Sequence, residues 1–525
     1  MAAKRHIHMA DLFEILADAI PDRPALFTNE VEYTFAQLDE RVTRLANHLR
    51  TMGIKRGDWV AIHSMNRHEW VESFYACVKL GAAPVNINFR YVESELRYVY
   101  ENADCAAAIV SSDYSDVVRK IQKELPKLKS ILVMGDEYEA AVAAASSERD
   151  FGERDPGDPY VIYTGGTTGM PKGVVWRNQD AVLGAMNASR FFQPLEYPEK
   201  VGEEALAAPM QLRLMALGPM MHGGGQWVMG NAYVSGQAFV LYTLPRFDAN
   251  EVWKLASKAK ANSVSTIGDA MGRPLAEDLL NPDTPKYDLS NLFSIGNGGA
   301  PLTLAVKNQI RQAMPNIMIM DSFGASETGA AAARMDQGEQ SRDLKFEVGA
   351  DCTVLDEDGN ICPPGVVGKL ARTGPIPLRY HKDEKKTADT FPTYNGVRYV
   401  IPGDFAMIEG NVITLLGRGS QCINSGGEKI FPEEVEAALK QHPAIFDAAV
   451  AGTPSERWGQ QVTAMVQVRP GASVTEEEIR AHCREHIADY KVPKQVFIVP
   501  EIKRTPVGKV DYKWAVAEAA SLVGA

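Results

Sequence analysis

The chain has 525 residues, more than one hydrophobic core supports, so two to four domains or subdomains are expected. A composition of 45% hydrophobic and 23% charged residues is that of a globular protein, and a net charge of −12 without a long basic block argues against nucleic acid as the main partner. Nothing approaches the ~18–20 apolar residues of a membrane span. Asp11, Glu14 and Asp18 stand where a secretory leader needs an apolar core. Six cysteines without a CxxC pair read as reduced thiols of a cytoplasmic protein.

In chain order, Leu12–Ala19, Glu69–Leu80 and Glu93–Asn102 have the pattern of helices, and Trp59–His63 and Ala107–Ser111 that of short buried strands. Their alternation predicts an α/β fold with mainly parallel sheets. The Ala-rich stretch Glu139–Glu148 reads as a surface helix. Asn411–Leu416 reads as a strand, and a domain boundary is expected near Gly417–Ser420. Beyond it, Phe431-Pro-Glu-Glu434 carries the early proline and acids of a helix start, and Thr475-Glu-Glu-Glu478 is a capping box. The expected division is a large N-terminal domain of several subdomains, 1–418, and a small α+β C-terminal domain, 419–525.

The segment richest in chemistry is Tyr160–Trp176. A β-prone run leads into Thr164, Gly165, Gly166, Thr167, Thr168 and Gly169, then Met170, Pro171 and Lys172, then a second β-prone run. Glycines let backbone N–H groups approach an anion, threonine hydroxyls add donors, and a lysine supplies a point charge suited to phosphate. A Walker A loop would open a helix; here Pro171 precedes the lysine and a strand follows. The stretch resembles the signature loop of the adenylate-forming superfamily of acyl- and aryl-CoA synthetases, adenylation domains and luciferases.

Other segments match that family in order along nearly the whole chain. Asp321–Gly329 resembles its aromatic-Gly-x-Thr-Glu element. The resemblance implies Phe323 stacked on adenine, Glu327 on Mg²⁺ together with Thr164, and Asp321 and Ser326 among the nucleotide contacts. Gly299, Ala300 and Pro301 lie in the adenine-flanking loop. Asp404 would accept from the ribose hydroxyls, and Arg418 would contact ribose and phosphate at the hinge, where Ser420 replaces the usual Asp or Lys. Ser425, Gly426, Gly427 and Lys429 match the segment that meets coenzyme A. Lys509, in Thr505-Pro-Val-Gly-Lys-Val510, matches the adenylation lysine, and His222, in Pro219-Met-Met-His222, the histidine beside the acyl pocket.

The resemblance implies a ligase that uses ATP and Mg²⁺ to convert a carboxylic acid to an acyl-adenylate. The C-terminal domain then swings to replace Lys509 with the coenzyme A face, and an acyl-CoA thioester forms. The pocket segments are Gly223, Gly224, Gly225, Trp227 and Thr266–Met271, and the three glycines leave room for a fatty or bulky acid, a steroid side-chain acid included. Asp269 either meets a polar group on the substrate or faces away on a loop. The alternatives are an enzyme that loads a carrier protein or stops at acyl-AMP, and a nucleotide-binding regulator. His222-Gly-Gly-Gly225 lacks the downstream GxSxG of an esterase, and His482-Cys-Arg-Glu-His486 is read as a charged surface helix rather than a zinc site. Oligomeric state is left open, a homo-oligomer among the choices.

Overall fold

The computed structural model describes residues 6–164, 170–186, 195–300, 302–336, 344–418, 421–425, 428–455, 459–505 and 508–524. Two large sheets dominate residues 6–418. In the seven-stranded sheet, Ser130–Val133, Ala107–Val110, Trp59–His63, Ala83–Asn86 and Pro159–Thr164 run parallel. The antiparallel Lys172–Arg177 and the edge pair Arg379–Tyr380 complete it. Its strands are continuous apolar runs because both faces are covered. Val60, Ile62 and Ile109 meet Trp70 and Phe74 on one side. Ala61, Ala108 and Val110 meet Leu96, Val99 and Val118 on the other.

The second sheet has thirteen strands. A parallel set (Pro24–Phe27, Ala238–Leu241, Arg213–Ala216, Ser263–Thr266, Ser294–Asn297 and Met318–Ala325) continues through antiparallel hairpins to Asp404–Glu409 and Val412–Arg418. Met215, Val264, Ile295 and Ile319 pack under the helices Ala249–Lys258, Gly268–Leu280 and Leu304–Ala313. The opposite face looks toward the first sheet across the helices Met9–Ala19, Phe35–Thr51, His68–Lys79 and Gly223–Val234. The last hundred residues form a five-stranded sheet with helices Pro432–Leu439, Glu476–His486 and Tyr512–Gly524.

The α/β expectation is met, and Pro432 and the Thr475–Glu478 capping box open helices. The Ala-rich helix is shorter than expected, Asp136–Ala144, with Tyr138 and Val142 buried. Side chains of a neighbouring helix capture the carbonyls beyond it. Arg44 donates to Ala145 O at 2.6 Å, and Asn47 to Ser146 O and Glu148 O at 2.7 and 3.0 Å.

Candidate active site

Thr164 and Lys172 are register partners across a β-hairpin, so both side chains stand at the mouth of its loop. The Lys172 ammonium ion-pairs with Asp383 and lies 6.0 Å from the centre of the Tyr380 ring. Asp383 also caps the helix Glu384–Thr390, accepting from Lys386 N at 2.9 Å. Lys172 first, and that amide second, hold its carboxyl below the ordinary range. Tyr380 donates to Glu327 Oε1 at 2.6 Å. One short edge strand therefore gathers the phosphate-type lysine and the carboxylate expected to meet Mg²⁺. Glu327 sits on the turn between Met318–Ala325 and Gly329–Asp336, fixed by Trp176 Nε1 donating to Ser326 O at 3.1 Å. Behind that turn, Arg372 reaches the carbonyls of Gly184 and Thr328 and pairs with Asp351 at 2.7 Å.

On the opposite wall, Asn297 joins three loops. It accepts from Gly268 N at 2.7 Å and donates to Ala300 O at 3.1 Å and Asp321 Oδ1 at 3.0 Å. The other Asp321 oxygen is held by Lys307. Phe323 projects from the adjacent strand, 6.1 Å from Phe346. Asp404, 8% exposed, begins its strand opposite Arg418.

The Lys509 segment folds back on itself. Thr505 N donates to Lys509 O at 2.7 Å, and Gly508 N to Thr505 O at 2.8 Å. Arg504 braces the turn through Gly508 O at 2.6 Å and a bidentate pair with Asp447 at 2.7 and 2.6 Å. A Cβ on Gly508 would lie 3.7 Å from Ala270 Cβ, so this hairpin touches the start of the helix Gly268–Leu280. His222 precedes the helix Gly223–Val234 at its N-cap position without a side-chain capping bond, and its Nε2 has no hydrogen-bond partner among the described residues. Burial, then the charges of Arg90 and Lys509, push its pKa down to about 4, so its imidazole is neutral at pH 7. Asp269 lies in the first turn of a helix rather than a loop. It faces Thr303, accepting from Thr303 N at 2.7 Å and Oγ1 at 2.9 Å, with Arg273 at 3.4 Å.

Thr164, Lys172, His222, Gly299, Ala300, Asp321, Phe323, Ser326, Glu327, Asp404 and Lys509 line one cavity of about 2210 Å³. A drug-sized ligand needs some 300–1,000 Å³, so there is room here for a nucleotide and a large second substrate together. Ser425 stands apart, in a strand of the C-terminal sheet. Gly165, Gly166, Thr167, Thr168, Gly169, Pro301, Gly426 and Gly427 lie outside the described residues, as do the side chains of Arg418 and Lys429. Tyr380, Asp383, Asn297 and the Arg504–Asp447 brace are additions to the expected set. Only Asn297 had a sequence signal, being flanked by glycines at a strand end. His482 contacts Ala438 O at 3.1 Å and stacks edge-on with His442 and His486. Among the described residues no His/Cys/Asp/Glu group could hold a metal by itself.

Residues 13–379 match the family model described as AMP-binding enzyme, and residues 434–509 that of the AMP-binding enzyme C-terminal domain. The chain is 44% identical to 3-oxocholest-4-en-26-oate–CoA ligase of Rhodococcus rhodochrous, over 97% of this chain and 95% of that protein. It is 39% identical to the medium-chain acyl-CoA ligase Mig of Mycobacterium avium, over 95% and 96% of the two chains. Its fold is that of ATP-bound MatB from Rhodopseudomonas palustris, with a TM-score of 0.83 at 23% identity over 98% of this chain and 100% of that one. Among the described residues no helix is long and apolar enough to cross a membrane. With both family models matched in order along one chain, this protein belongs to the AMP-binding, adenylate-forming enzyme family.

Proposed function

We propose that this protein is an AMP-forming acid–CoA ligase acting on an elongated fatty or steroid side-chain acid. The observation that carries this reading is the Lys509 hairpin in the same cavity as His222, Lys172, Glu327 and Asp404. A carboxylate is a poor acyl donor because its leaving group would be oxide; joined to AMP it has a good one. The chain's task in that step is to hold two anions together and offset charge at the α-phosphate. Lys509 would bridge carboxylate and α-phosphate, Lys172 would hold the departing phosphates, Asp404 the ribose and Phe323 the adenine. The neutral ring of His222 would separate the acyl pocket from the nucleotide without adding a competing charge.

Glu327 suits Mg²⁺, which commonly takes one or two protein carboxylates and completes its shell with phosphate and water. Its one hydrogen bond among the described residues is from the Tyr380 hydroxyl, and it lines the same cavity as Thr164. When bound, the ion would offset phosphate charge. In the second step the coenzyme A thiol attacks the acyl carbon and AMP leaves, after residues 419–525 have rotated relative to residues 1–418. Cys77, Cys105, Cys352, Cys362 and Cys483 are free thiols, as suits a reducing cytoplasm.

The substrate range rests on the names of the relatives and on the size of the cavity. The test is incubation with ATP, Mg²⁺ and coenzyme A against a panel of decanoate, octadecanoate, benzoate and a 3-oxo-steroid side-chain acid. AMP and an acyl-CoA should appear with the long or steroidal acids. Acyl-AMP without thioester sinks the ligase assignment in favour of carrier loading, and no AMP with any acid sinks it entirely.

The hairpin's placement has its own anchor. Phe446 of the C-terminal sheet lies between Arg273 of the other domain, 5.2 Å from its ring centre, and Arg469, at 5.9 Å. A cation–π contact of about 1 kcal/mol across a moving interface shifts its equilibrium about fivefold. Phe446→Ala should slow acyl-adenylate formation by about that factor and leave thioester formation from supplied acyl-AMP unslowed. Equal slowing of both half-reactions sinks this role.

A further inference from the structure

The acyl end of the cavity runs along the face of the thirteen-stranded sheet directed at the first sheet, and its floor is not what a hydrocarbon chain calls for. Successive strand residues point to opposite faces. Met215, Val264, Ile295 and Ile319 fill the core behind the sheet. Their neighbours Ser263, Ser265, Ser294 and Gly296 therefore face the cavity, and all four line it. Pairing places Ser263 beside Ser294 and Ser265 beside Gly296. The floor is thus two rungs, about 6.6 Å apart along the strands. Above it, the helix Gly223–Val234 presents Gly224, Trp227 and Val228.

The floor is open and its hydroxyls are unspent. A Cβ on Gly296 would meet nothing nearer than the Ser265 Cα at 3.8 Å, and one on Gly224 nothing within 4 Å. Among the described residues, the hydroxyls of Ser263, Ser265 and Ser294 make no hydrogen bond, although Ser322, further along the floor, donates to Asn297 O at 2.9 Å. Ser294 is only 3% exposed. An alkyl chain laid over these hydroxyls would strip their water and return nothing, whereas a hydroxyl or ketone at the same depth would satisfy them.

We infer that this trench selects elongated acids bearing a hydroxyl or keto oxygen partway along the skeleton over the saturated chain of equal length, with Ser263, Ser265 and Ser294 as the residues that read the oxygen. This rests on the ligase reading above. Wild-type enzyme is assayed for kcat/KM by AMP release with octadecanoate, with octadecanoates singly hydroxylated or oxidised to the ketone at each carbon from 6 to 14, and with decanoate. One narrow window of positions should exceed octadecanoate by about fivefold to tenfold, the worth of one matched hydrogen bond. In Ser263→Ala/Ser265→Ala/Ser294→Ala, and in part in each single variant, the ratio of that best oxygenated acid to octadecanoate should fall to about one. A flat positional series in wild type overturns the inference without any variant, and so does a ratio that survives all three substitutions. Absence of turnover with every acid, decanoate included, overturns the ligase reading and this inference with it.

Discussion

Lys509→Ala should lower acyl-adenylate formation about 10²–10³-fold, the usual loss when one preorganised charge at a developing anion is removed. Thioester formation from supplied acyl-AMP should stay within a few-fold of wild type, because in the proposed mechanism that step does not use the lysine. Pyrophosphate exchange and a single-turnover thioester assay measure the two halves separately. The side chain is exposed, so the fold should be unaffected. Wild-type exchange in this variant would remove Lys509 from the mechanism. Arg504→Met should reproduce part of the same defect, since Arg504 holds the hairpin through Asp447 and Gly508 O.

The largest stability effect is expected at Gly329, next to the turn that carries Glu327. Its φ is +67°, a conformation that costs other residues about 1–2 kcal/mol. A Cβ there would also collide with the Gly184 carbonyl and stand 2.8 Å from Ala185 Cα, both backbone groups that cannot swing away. Gly329→Ala should therefore destabilise by more than about 4 kcal/mol or fail to accumulate folded. Gly410 isolates the conformational part: φ is +63° and nothing lies within 4 Å of its Cβ position. Gly410→Ala should cost only about 1 kcal/mol. Thermal melts of the two variants, read side by side, test the argument; equal melting temperatures would refute the crowding account.

Local patterns carried the helices and short strands well, because periodicity and caps are written within a few residues. Thr475 and Glu478 cap each other as their spacing implies. The first helix begins at Met9 rather than Leu12 because His8 accepts from Ala10 N, and histidine is not a residue normally read as a cap. Long-range partnerships were not legible. Lys79, the last residue of its helix, is 1% exposed and held by Asp39 at 2.7 Å and Glu14 at 2.8 Å, partners that no local pattern announces. Within the candidate site, Thr164, Lys172, Glu327, Asp404 and Lys509 are named by family motifs, and the structure brings them to one cavity. Tyr380 and Asp383 are not so named, since an edge strand contributed from two hundred residues downstream has no local signature. Asp321, expected among the nucleotide contacts, lines the cavity with its two oxygens engaged by Lys307 and Asn297.

The ion pair between Lys172 and Asp383 bears on which anions the enzyme admits. With its ammonium already matched to a carboxylate, the proposed phosphate hairpin would present little uncompensated charge to orthophosphate, chloride or a stray fatty acid. A singly anchored anion gains there only what Asp383 supplies already. A triphosphate gripped elsewhere along its length can displace the carboxylate, because its other contacts are made at the same time. In the proposed reading Asp383 would act as an internal competitor that sets a threshold of valency, turning away small anions without blocking the nucleotide.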